Sequence, residues 1–346
     1  MKLNRTPAAL TSKFCFIALC LLAAIPTLAR AYPAHPTAPT TTTPHGTRAN
    51  GLSNLPRLGL EALNIGQVLE EDAQSGVGFV RVAMEWAYIQ PVYTDTAHYN
   101  WTYYDTFYTT LAAHNLTPLV LVLNCPPWAC QVPIGPIFDD KYDEFADFIQ
   151  AVATRYSQPP YNVHFYEFWN EPDGTIGPNN HLGWGLHPDK YAQMLSVAYP
   201  AIKAIDPESV IMMGGLAYDF WFDQGGPFNP DFLAGVLDNG GAQYLDAVAF
   251  HYYTHNAHGW TNIGLKTDDF RAEMNAHGAD LPLIVTESGL TSSPDFGSSE
   301  AIQARYLVQM IAQSAASDIL AVTWFTDRDF IFPPPGFDVF VHTGLL

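Results

Sequence analysis

The stretch VHFYEFWNEPD at residues 163–173 combines an apolar segment with an abrupt polar end. A second stretch of the same kind, LIVTESG, occupies residues 283–289. Segments this rich in β-branched and aromatic residues fit strands of a parallel sheet that is covered on both faces. A glutamate follows the apolar part of each segment, so we expect Glu171 and Glu287 to lie where their strands stop.

The same alternation of short apolar and longer amphipathic segments continues in both directions from residue 57 to the end. It predicts eight strands, at Leu58–Asn64, Phe79–Trp86, Pro118–Asn124, Val163–Asn170, Val210–Leu216, Leu245–Tyr253, Leu283–Glu287 and Ile319–Phe325. Helices are predicted between them, at Tyr103–His114, Asp139–Tyr156, Pro188–Ile205, Asp231–Asn239, Thr267–His277 and Glu300–Ala316. This order is typical of an α/β protein with a single (β/α)8 TIM barrel. A doubly wound open sheet is the alternative, but no Gly-rich phosphate turn follows the first strand.

The last outer helix of such a barrel is not evident. After the eighth strand the sequence reads RDFIFPPPGFDVFVHTGLL, which has no helical pattern. We therefore expect either a C-terminally truncated chain or another segment covering the seam between the last and first strands.

The first 56 residues do not read as part of the barrel. Residues 1–31 contain a basic start, the apolar run FCFIALCLLAAI and an Ala-Arg-Ala site, which predicts a secretory signal peptide. An uncleaved membrane anchor is the alternative interpretation. Residues 32–56 are rich in Pro and Thr and predict an extended linker. The catalytic domain is therefore expected at 57–346, in a protein that is secreted or held at the cell surface.

Composition excludes several other classes of protein. The chain has 15 Lys and Arg against 34 Asp and Glu, a formal net charge of −19. Such a surface repels nucleic acid and anionic membranes, so we expect neither as a partner. A neutral carbohydrate fits this charge better than a polyanionic glycan.

Polar and aromatic groups collect at the predicted strand ends. In a TIM barrel these ends form the face that carries the active site. The candidate substrate-binding residues there are Arg81, Asn124, Trp128, Asn170, His251, Tyr253 and Trp324. Glu85 is a candidate secondary contact, and Glu167 is interpreted as structural and directed outward to a helix.

Two carboxyl groups at one mouth point to glycoside hydrolysis, in which one protonates the leaving oxygen and the other attacks the anomeric carbon or activates water. Arg81 and Tyr253 are expected to hold Glu287 ionised and oriented. Asn170 can bind a sugar hydroxyl, and Trp128 and Trp324 offer flat faces to sugar rings. A retaining mechanism requires the two carboxyl groups about 5–5.5 Å apart.

FYEFWNEPD and LIVTESG resemble the strand-four and strand-seven motifs of glycoside hydrolase clan A. The Arg of strand two, the His-x-Tyr of strand six and the Trp of strand eight match in order. The motif is most similar to family 39 β-xylosidases and then to family 5. The resemblance implies a (β/α)8 barrel in which Glu171 is the general acid/base and Glu287 the nucleophile. Asn124 departs from the pattern, since many relatives have His there.

These residues together predict a secreted retaining β-glycoside hydrolase that cleaves plant- or microbe-derived oligo- or polysaccharide without a cofactor. A carbohydrate-binding pseudoenzyme on the same barrel is the alternative, and a metal-dependent amidohydrolase is the more distant rival. His251, His255 and His258 could be read as metal ligands, but no metal is expected there. Cys125 and Cys130 favour a disulfide, with two free buried thiols as the alternative.

Overall fold

Eight parallel strands form the centre of the protein. The computed structural model describes residues 51–62, 70–94, 97–175, 183–218, 227–253, 263–330 and 340–345. The strands are β1 (Leu58–Glu61), β2 (Phe79–Glu85), β3 (Thr117–Leu123), β4 (Phe165–Phe168), β5 (Val210–Met213), β6 (Val248–Tyr253), β7 (Leu283–Gly289) and β8 (Val322–Trp324). Their order in the sheet is β5-β4-β3-β2-β1-β8-β7-β6, which confirms the predicted TIM barrel.

The sheet nearly closes on itself. The first strand pairs with both β2 and β8, so the two halves of the chain meet there. At the opposite seam, parallel bridges join Met212 to Ala247 and Leu216 to Phe250. The inward-facing side chains of all eight strands therefore share one interior, and the carboxyl ends of the strands surround one mouth.

In the described part of the chain, eight α-helices surround the strands. They are α1 (Glu70–Gln74), α2 (Trp86–Ile89), α3 (Thr102–Ala113), α4 (Tyr142–Tyr156), α5 (Pro188–Lys203), α6 (Phe232–Asp238), α7 (Ile263–Ala276) and α8 (Glu300–Ala316). Two of them, α2 and α3, lie between β2 and β3. None of the helices within the described ranges is long and apolar enough to cross a bilayer.

The described residues after β8 form local contacts instead of an α-helix. After β8, the described residues 325–330 and 340–345 contain no α-helix, in line with the prediction. Instead, the indole nitrogen of Trp324 donates to the carbonyl of Thr343 at 2.8 Å, and the amide of Leu345 donates to the carbonyl of Asp327 at 3.0 Å. The last described residues thus fold back beside the strand that precedes them.

Leu52 and Leu55 correct the predicted linker boundary. Both are buried, in a cluster with residues at the amino ends of the strands, among them Phe79, Phe165 and Val210. They close the end of the barrel opposite the mouth, so the predicted linker 32–56 does not extend as far as residue 56. The predicted signal peptide and the linker up to residue 50 lie outside the described residues.

Candidate active site

Arg81 donates hydrogen bonds to four side chains at the mouth of the barrel. It points into the barrel from β2, since it is two residues after the inward Phe79, and it is fully buried. Its Nε and Nη2 donate to the two carboxyl oxygens of Glu167, and its Nη1 donates to Glu61 and Glu287 at 2.7 and 2.8 Å. Nη2 also donates to Oδ1 of Asn170 at 2.8 Å. Because a guanidinium has five N–H groups, this network uses every one of them.

Glu287 lies at the mouth end of β7 and is held from two sides. Arg81 donates to its Oε1 and the hydroxyl of Tyr253 donates to its Oε2, at 2.8 and 2.7 Å. Burial raises the pKa of Glu287, while Arg81 and Tyr253 oppose that rise by stabilising the anion. The two partners predicted from the sequence therefore both contact this carboxylate.

Glu171 faces Glu287 across the mouth. It lies three residues after the end of β4, and both Trp169 and Glu171 have left-handed backbone, with φ of 65° and 46°. Its Oε1 lies 3.1 Å from Nδ1 of His251. Burial and the negative charge of Glu287 hold the pKa of Glu171 well above its ordinary value. Ligand atoms of Glu171, His251 and Glu287 all lie within 4.8 Å of one another.

His251 lies between the two glutamates. Its Nδ1 is also 3.4 Å from Oε2 of Glu287. Burial, with Arg81 and Lys266 nearby, lowers the pKa of His251 well below its usual value, so the ring is neutral. A neutral ring with its proton on Nδ1 donates to the carboxylates. The ammonium of Lys266 donates to the His251 carbonyl at 2.8 Å and fixes the backbone there.

The same three side chains are the candidate cation ligands in the described part of the chain. A cation bound by Glu171, His251 and Glu287 would occupy the space between the two carboxyl groups. His255 and His258, which the sequence also offers, lie outside the described residues.

Two asparagines extend the mouth toward β3. Arg81 fixes Oδ1 of Asn170, which leaves Nδ2 as the donor for a ligand. Asn124 follows β3 and donates from Nδ2 to Oε2 of Glu85 at 3.0 Å. Burial raises the pKa of Glu85, and the contact from Asn124 opposes the rise. Asn124 therefore belongs to the β2–β3 rim, beside Asn170 on the neighbouring strand.

Trp324 does not fit its predicted role as a sugar platform. It shares the outward face of β8 with Val322, is fully buried, and packs against Tyr306 of α8 at 5.9 Å between ring centroids. Alternation along the strand instead turns the next residue, Phe325, to the inside. Phe325 lies edge-on to Tyr253, with centroids 6.4 Å apart, and is the aromatic residue that strand eight brings to this network.

The structure places Glu167 differently from the prediction, and it adds Glu61, an acidic residue that the prediction omits. Glu167 is not directed outward: it follows the inward Phe165 by two residues, and Gly215 N and Thr286 Oγ1 donate to its Oε1. Glu61 is the last residue of β1 and pairs in register with Arg81. Burial raises the pKa of Glu61 to about 8, against the pull of Arg81. Two-residue alternation applied to every strand would have found both carboxylates.

Trp128 lies on the rim in a braced loop. The structure joins Cys125 and Cys130 in a disulfide with Cα atoms 5.8 Å apart, the pairing that the sequence favours. Trp128 is half-buried within this loop and donates from its indole nitrogen to the carbonyl of Gln90 at 3.1 Å. Its ring meets Trp86 edge-on at 5.2 Å.

Solved structures share this fold at low sequence identity. A family 39 glycoside hydrolase from Bacteroides cellulosilyticus WH2 has a TM-score of 0.58 and 17% identity, over 86% of this chain and 60% of that one. A family 39 β-xylosidase from Caulobacter crescentus has a TM-score of 0.59 and 21% identity, over 87% and 69%. Cel5A from Thermotoga maritima has a TM-score of 0.55 and 13% identity, over 86% and 100%.

The chain spans about three fifths of the length of the first solved structures that it matches. No curated protein matches it. A family model for cellulase, glycosyl hydrolase family 5, matches residues 41–327, which is most of the chain. Family 5 is the second of the two families that the motifs suggested, and both belong to the clan that they resembled. With the glutamates of β4 and β7 facing each other across the mouth of a TIM barrel, this match shows that the chain belongs to the cellulase family, glycosyl hydrolase family 5.

Proposed function

We propose that this protein is a retaining β-glycoside hydrolase. The observation that carries the proposal is the pair of carboxyl groups at the mouth, Glu287 buried and Glu171 partly exposed, with an oxygen of each within 4.8 Å of the other. Retaining enzymes hold their two carboxyl groups about 5–5.5 Å apart, whereas inverting enzymes need about 6.5–9.5 Å to admit a water molecule. The short separation between these oxygens favours retention.

The surroundings of the two glutamates support different roles. Glu287 receives hydrogen bonds from a guanidinium and a phenol, both of which favour the anion that a nucleophile requires. Glu171 has no bond to a cation among the described residues, and the charge of Glu287 raises its pKa further. A carboxyl group that keeps its proton suits a general acid. We assign Glu287 as the nucleophile and Glu171 as the acid/base.

The reaction follows in two balanced steps. Oε of Glu287 attacks the anomeric carbon while the bond to the leaving oxygen breaks, and Glu171 gives that oxygen its proton. A glycosyl ester on Glu287 results. Glu171, now ionised, takes a proton from water as the water oxygen attacks the same carbon, and the carboxylate of Glu287 leaves. His251 keeps Glu171 oriented throughout, and Asn170 offers its amide nitrogen to a sugar hydroxyl.

The charge of the mouth supports a neutral carbohydrate substrate. Five carboxyl groups, of Glu61, Glu167, Glu171, Asp173 and Glu287, lie in or at the edge of the interior around one guanidinium and one ammonium, so the acidic groups outnumber the basic ones even where Glu61 and Glu171 hold their protons. A uronic acid or sulfated sugar would enter against this negative field. Structures that share the fold are described as a β-xylosidase and as an exo-β-1,4-mannosidase, so β-linked xylose and mannose units head the substrates to be tested.

The test is hydrolysis of aryl β-glycosides (xyloside, glucoside, mannoside, galactoside and arabinoside) by the wild type and by Glu287→Ala and Glu171→Ala. We expect one sugar to turn over and both variants to lose at least a thousandfold in rate. Azide should rescue Glu287→Ala and give the glycosyl azide of inverted configuration. Tyr166→Phe, which removes a buried hydroxyl bonded to the Val163 carbonyl, is the control for general disturbance.

Proton NMR of the first-formed product separates the mechanisms. A β-configured hemiacetal supports retention, and an α-configured one contradicts it. Binding of the same sugars with no turnover of any glycoside or polysaccharide would replace the proposal by the pseudoenzyme alternative, which no observation on the described residues favours.

We also propose that the protein is secreted, on the basis of the basic start, the apolar run and the Ala-Arg-Ala site within residues 1–31. Expression in a secreting host should release protein whose first residue is Tyr32. Retention of the full amino terminus in the membrane fraction would support the anchor instead.

A further inference from the structure

Lys266 places a buried ammonium beside the backbone of His251. It belongs to α7, on the outside of the barrel, yet only 4% of its surface is exposed. Its Nζ donates to the His251 carbonyl at 2.8 Å and lies 5.6 and 5.7 Å from the ring centroids of Phe250 and Phe270. Taking an ammonium out of water is unfavourable, and an apolar side chain would fill the space between two rings without that penalty. The bond to His251 therefore points to a role at the mouth.

The His251 carbonyl lies at an irregular point of the sheet. The pairing of β6 with β7 shifts register between Phe250 and His251, so that His251 lies opposite Glu287 and Thr286 is an extra residue on β7. A bulge of this kind re-aims a side chain, and it also disrupts the regular hydrogen bonds between the strands. The backbone at a bulge therefore depends on other contacts, and the ammonium of Lys266 supplies one to His251.

The imidazole of His251 is fixed by packing and through its backbone. Its Nδ1 lies 3.1 Å from Oε1 of Glu171 and 3.4 Å from Oε2 of Glu287. Nε2, on the other side of the ring, is buried with no hydrogen-bond partner among the described residues. A Cβ atom at Gly215 would lie 2.2 Å from this nitrogen, so the ring packs directly on the glycine backbone. A histidine is usually oriented by a bond to its second nitrogen. Here that orientation depends on the packing and on the backbone that Lys266 holds.

We propose that Lys266 is a positioning residue for the two proton transfers of the reaction. Its ammonium holds the His251 backbone at the bulge, and His251 in turn holds the carboxyl group of Glu171. Lys266 thus acts through His251 rather than on the substrate. This inference rests on the proposed glycosidase function, to which it adds a residue of an outer helix. A misplacement of about 1 Å costs up to about a hundredfold in rate, so loss of the ammonium should be visible in proton transfer.

The test separates proton transfer from the rest of catalysis. An aryl β-glycoside with a poor leaving group, such as the phenyl glycoside, needs the proton of Glu171. A dinitrophenyl glycoside releases a stable anion and does not need that proton. For both substrates, kcat/KM reports formation of the glycosyl-enzyme. Loss of a residue that positions Glu171 therefore lowers kcat/KM on the phenyl glycoside alone, whereas a general disturbance lowers it on both.

Lys266→Met is the variant, because a thioether packs well between two aromatic rings and should keep the fold. We expect kcat/KM on the phenyl glycoside to fall about ten- to a hundredfold, and kcat/KM on the dinitrophenyl glycoside to fall less than about twofold. The second step should slow as well, since ionised Glu171 activates the water, and this step sets kcat on the dinitrophenyl glycoside. Azide needs no base, so it should restore that kcat and give the glycosyl azide of retained configuration.

The matched control is Lys203→Met. Lys203 also donates to a backbone carbonyl, that of Pro207 at 3.3 Å, and its ammonium lies 5.1 Å from the Tyr199 ring centroid. It is the last residue of α5, shortly before β5 begins, so it lies at the end of the barrel opposite the mouth. This variant should leave the ratio of the two kcat/KM values at the wild-type level, whatever stability it loses.

An equal fall on both glycosides, or no fall on the phenyl glycoside, overturns the role of Lys266. If Lys266→Met does not fold, Lys266→Gln takes its place with the same expectation, since its amide is one bond shorter and stops short of the carbonyl. If the wild type cleaves neither glycoside, the proposed glycosidase function fails, and crystal structures of the wild type and Lys266→Met decide the positioning separately. A contact between His251 Nδ1 and Glu171 that lengthens beyond hydrogen-bond reach in the variant upholds it, and an unchanged contact rejects it.

Discussion

Replacing Tyr253 by phenylalanine should move the acidic limb of the pH–activity profile. The change removes one hydroxyl, which donates to Oε2 of Glu287 at 2.7 Å. The ring itself stays, so its edge-on contacts with Phe325 and Phe340 are kept. The perturbation is therefore limited to one hydrogen bond on the proposed nucleophile.

The direction and size follow from the structure. Burial already raises the pKa of Glu287, and Tyr253 is one of the groups that oppose the rise. A hydrogen bond to a charged group contributes about 1.5–3 kcal/mol, and one pH unit corresponds to about 1.4 kcal/mol. Loss of the bond should raise the pKa of Glu287 by about 1–2 units. Because the nucleophile must be ionised, activity should then be lost at correspondingly higher pH.

The assay is kcat/KM against pH with the best aryl β-glycoside, which reports the ionisations of the free enzyme. The acidic limb of Tyr253→Phe should lie about 1–2 units above that of the wild type, while the alkaline limb, set by Glu171, stays in place. Tyr166→Phe should leave both limbs unchanged, since its hydroxyl bonds only to a carbonyl outside the site. If the acidic limb of folded Tyr253→Phe does not move, or moves to lower pH, Tyr253 does not stabilise the Glu287 anion.

Three further outcomes are expected. Burial raises the pKa of Glu61 to about 8, so between about pH 4.5 and pH 8 the folded state holds a proton that the unfolded state has lost, and the free energy of unfolding falls as pH rises. The melting temperature of Glu61→Gln should therefore fall less than that of the wild type between pH 5 and pH 9. An equal fall in both would contradict the raised pKa of Glu61. Opening the short Cys125–Cys130 loop should cost about 2 kcal/mol, measured by denaturant unfolding of the double serine variant, and an unchanged midpoint would show that the disulfide contributes nothing. Leu55→Ala should destabilise by about 2–4 kcal/mol because Leu55 closes the base of the barrel, whereas a loss under about 0.5 kcal/mol would return it to the linker.

Much of the active site was predictable because the relevant signals are local. Glu171 and Glu287 each end an apolar strand, and in a parallel barrel all such ends meet at one mouth. Arg81 and Tyr253 were expected to hold Glu287, and they do so. The order of strands and helices was equally readable, since it depends on periodicity along the chain.

The errors lie where the side-chain direction or a distant contact decides. The place of Trp324 at a strand end predicts a sugar platform, but the side chain faces outward with Val322 and donates a hydrogen bond to the carbonyl of Thr343. The prediction directs Glu167 outward, but its side chain shares the interior with Arg81. Leu52 and Leu55 follow a Pro- and Thr-rich segment, and composition alone gave no reason to place them in a core.

By itself, the amino-acid sequence determined the barrel, the two carboxyl groups and their strands, because hydrophobic periodicity and strand ends are properties of neighbouring residues. Only the tertiary structure decided that one guanidinium holds four of the surrounding side chains, that Glu61 joins the mouth, and that Lys266 bonds to the carbonyl of His251. Those contacts link residues far apart in the chain, such as Arg81 and Glu287, and they depend on how the barrel closes rather than on any local pattern.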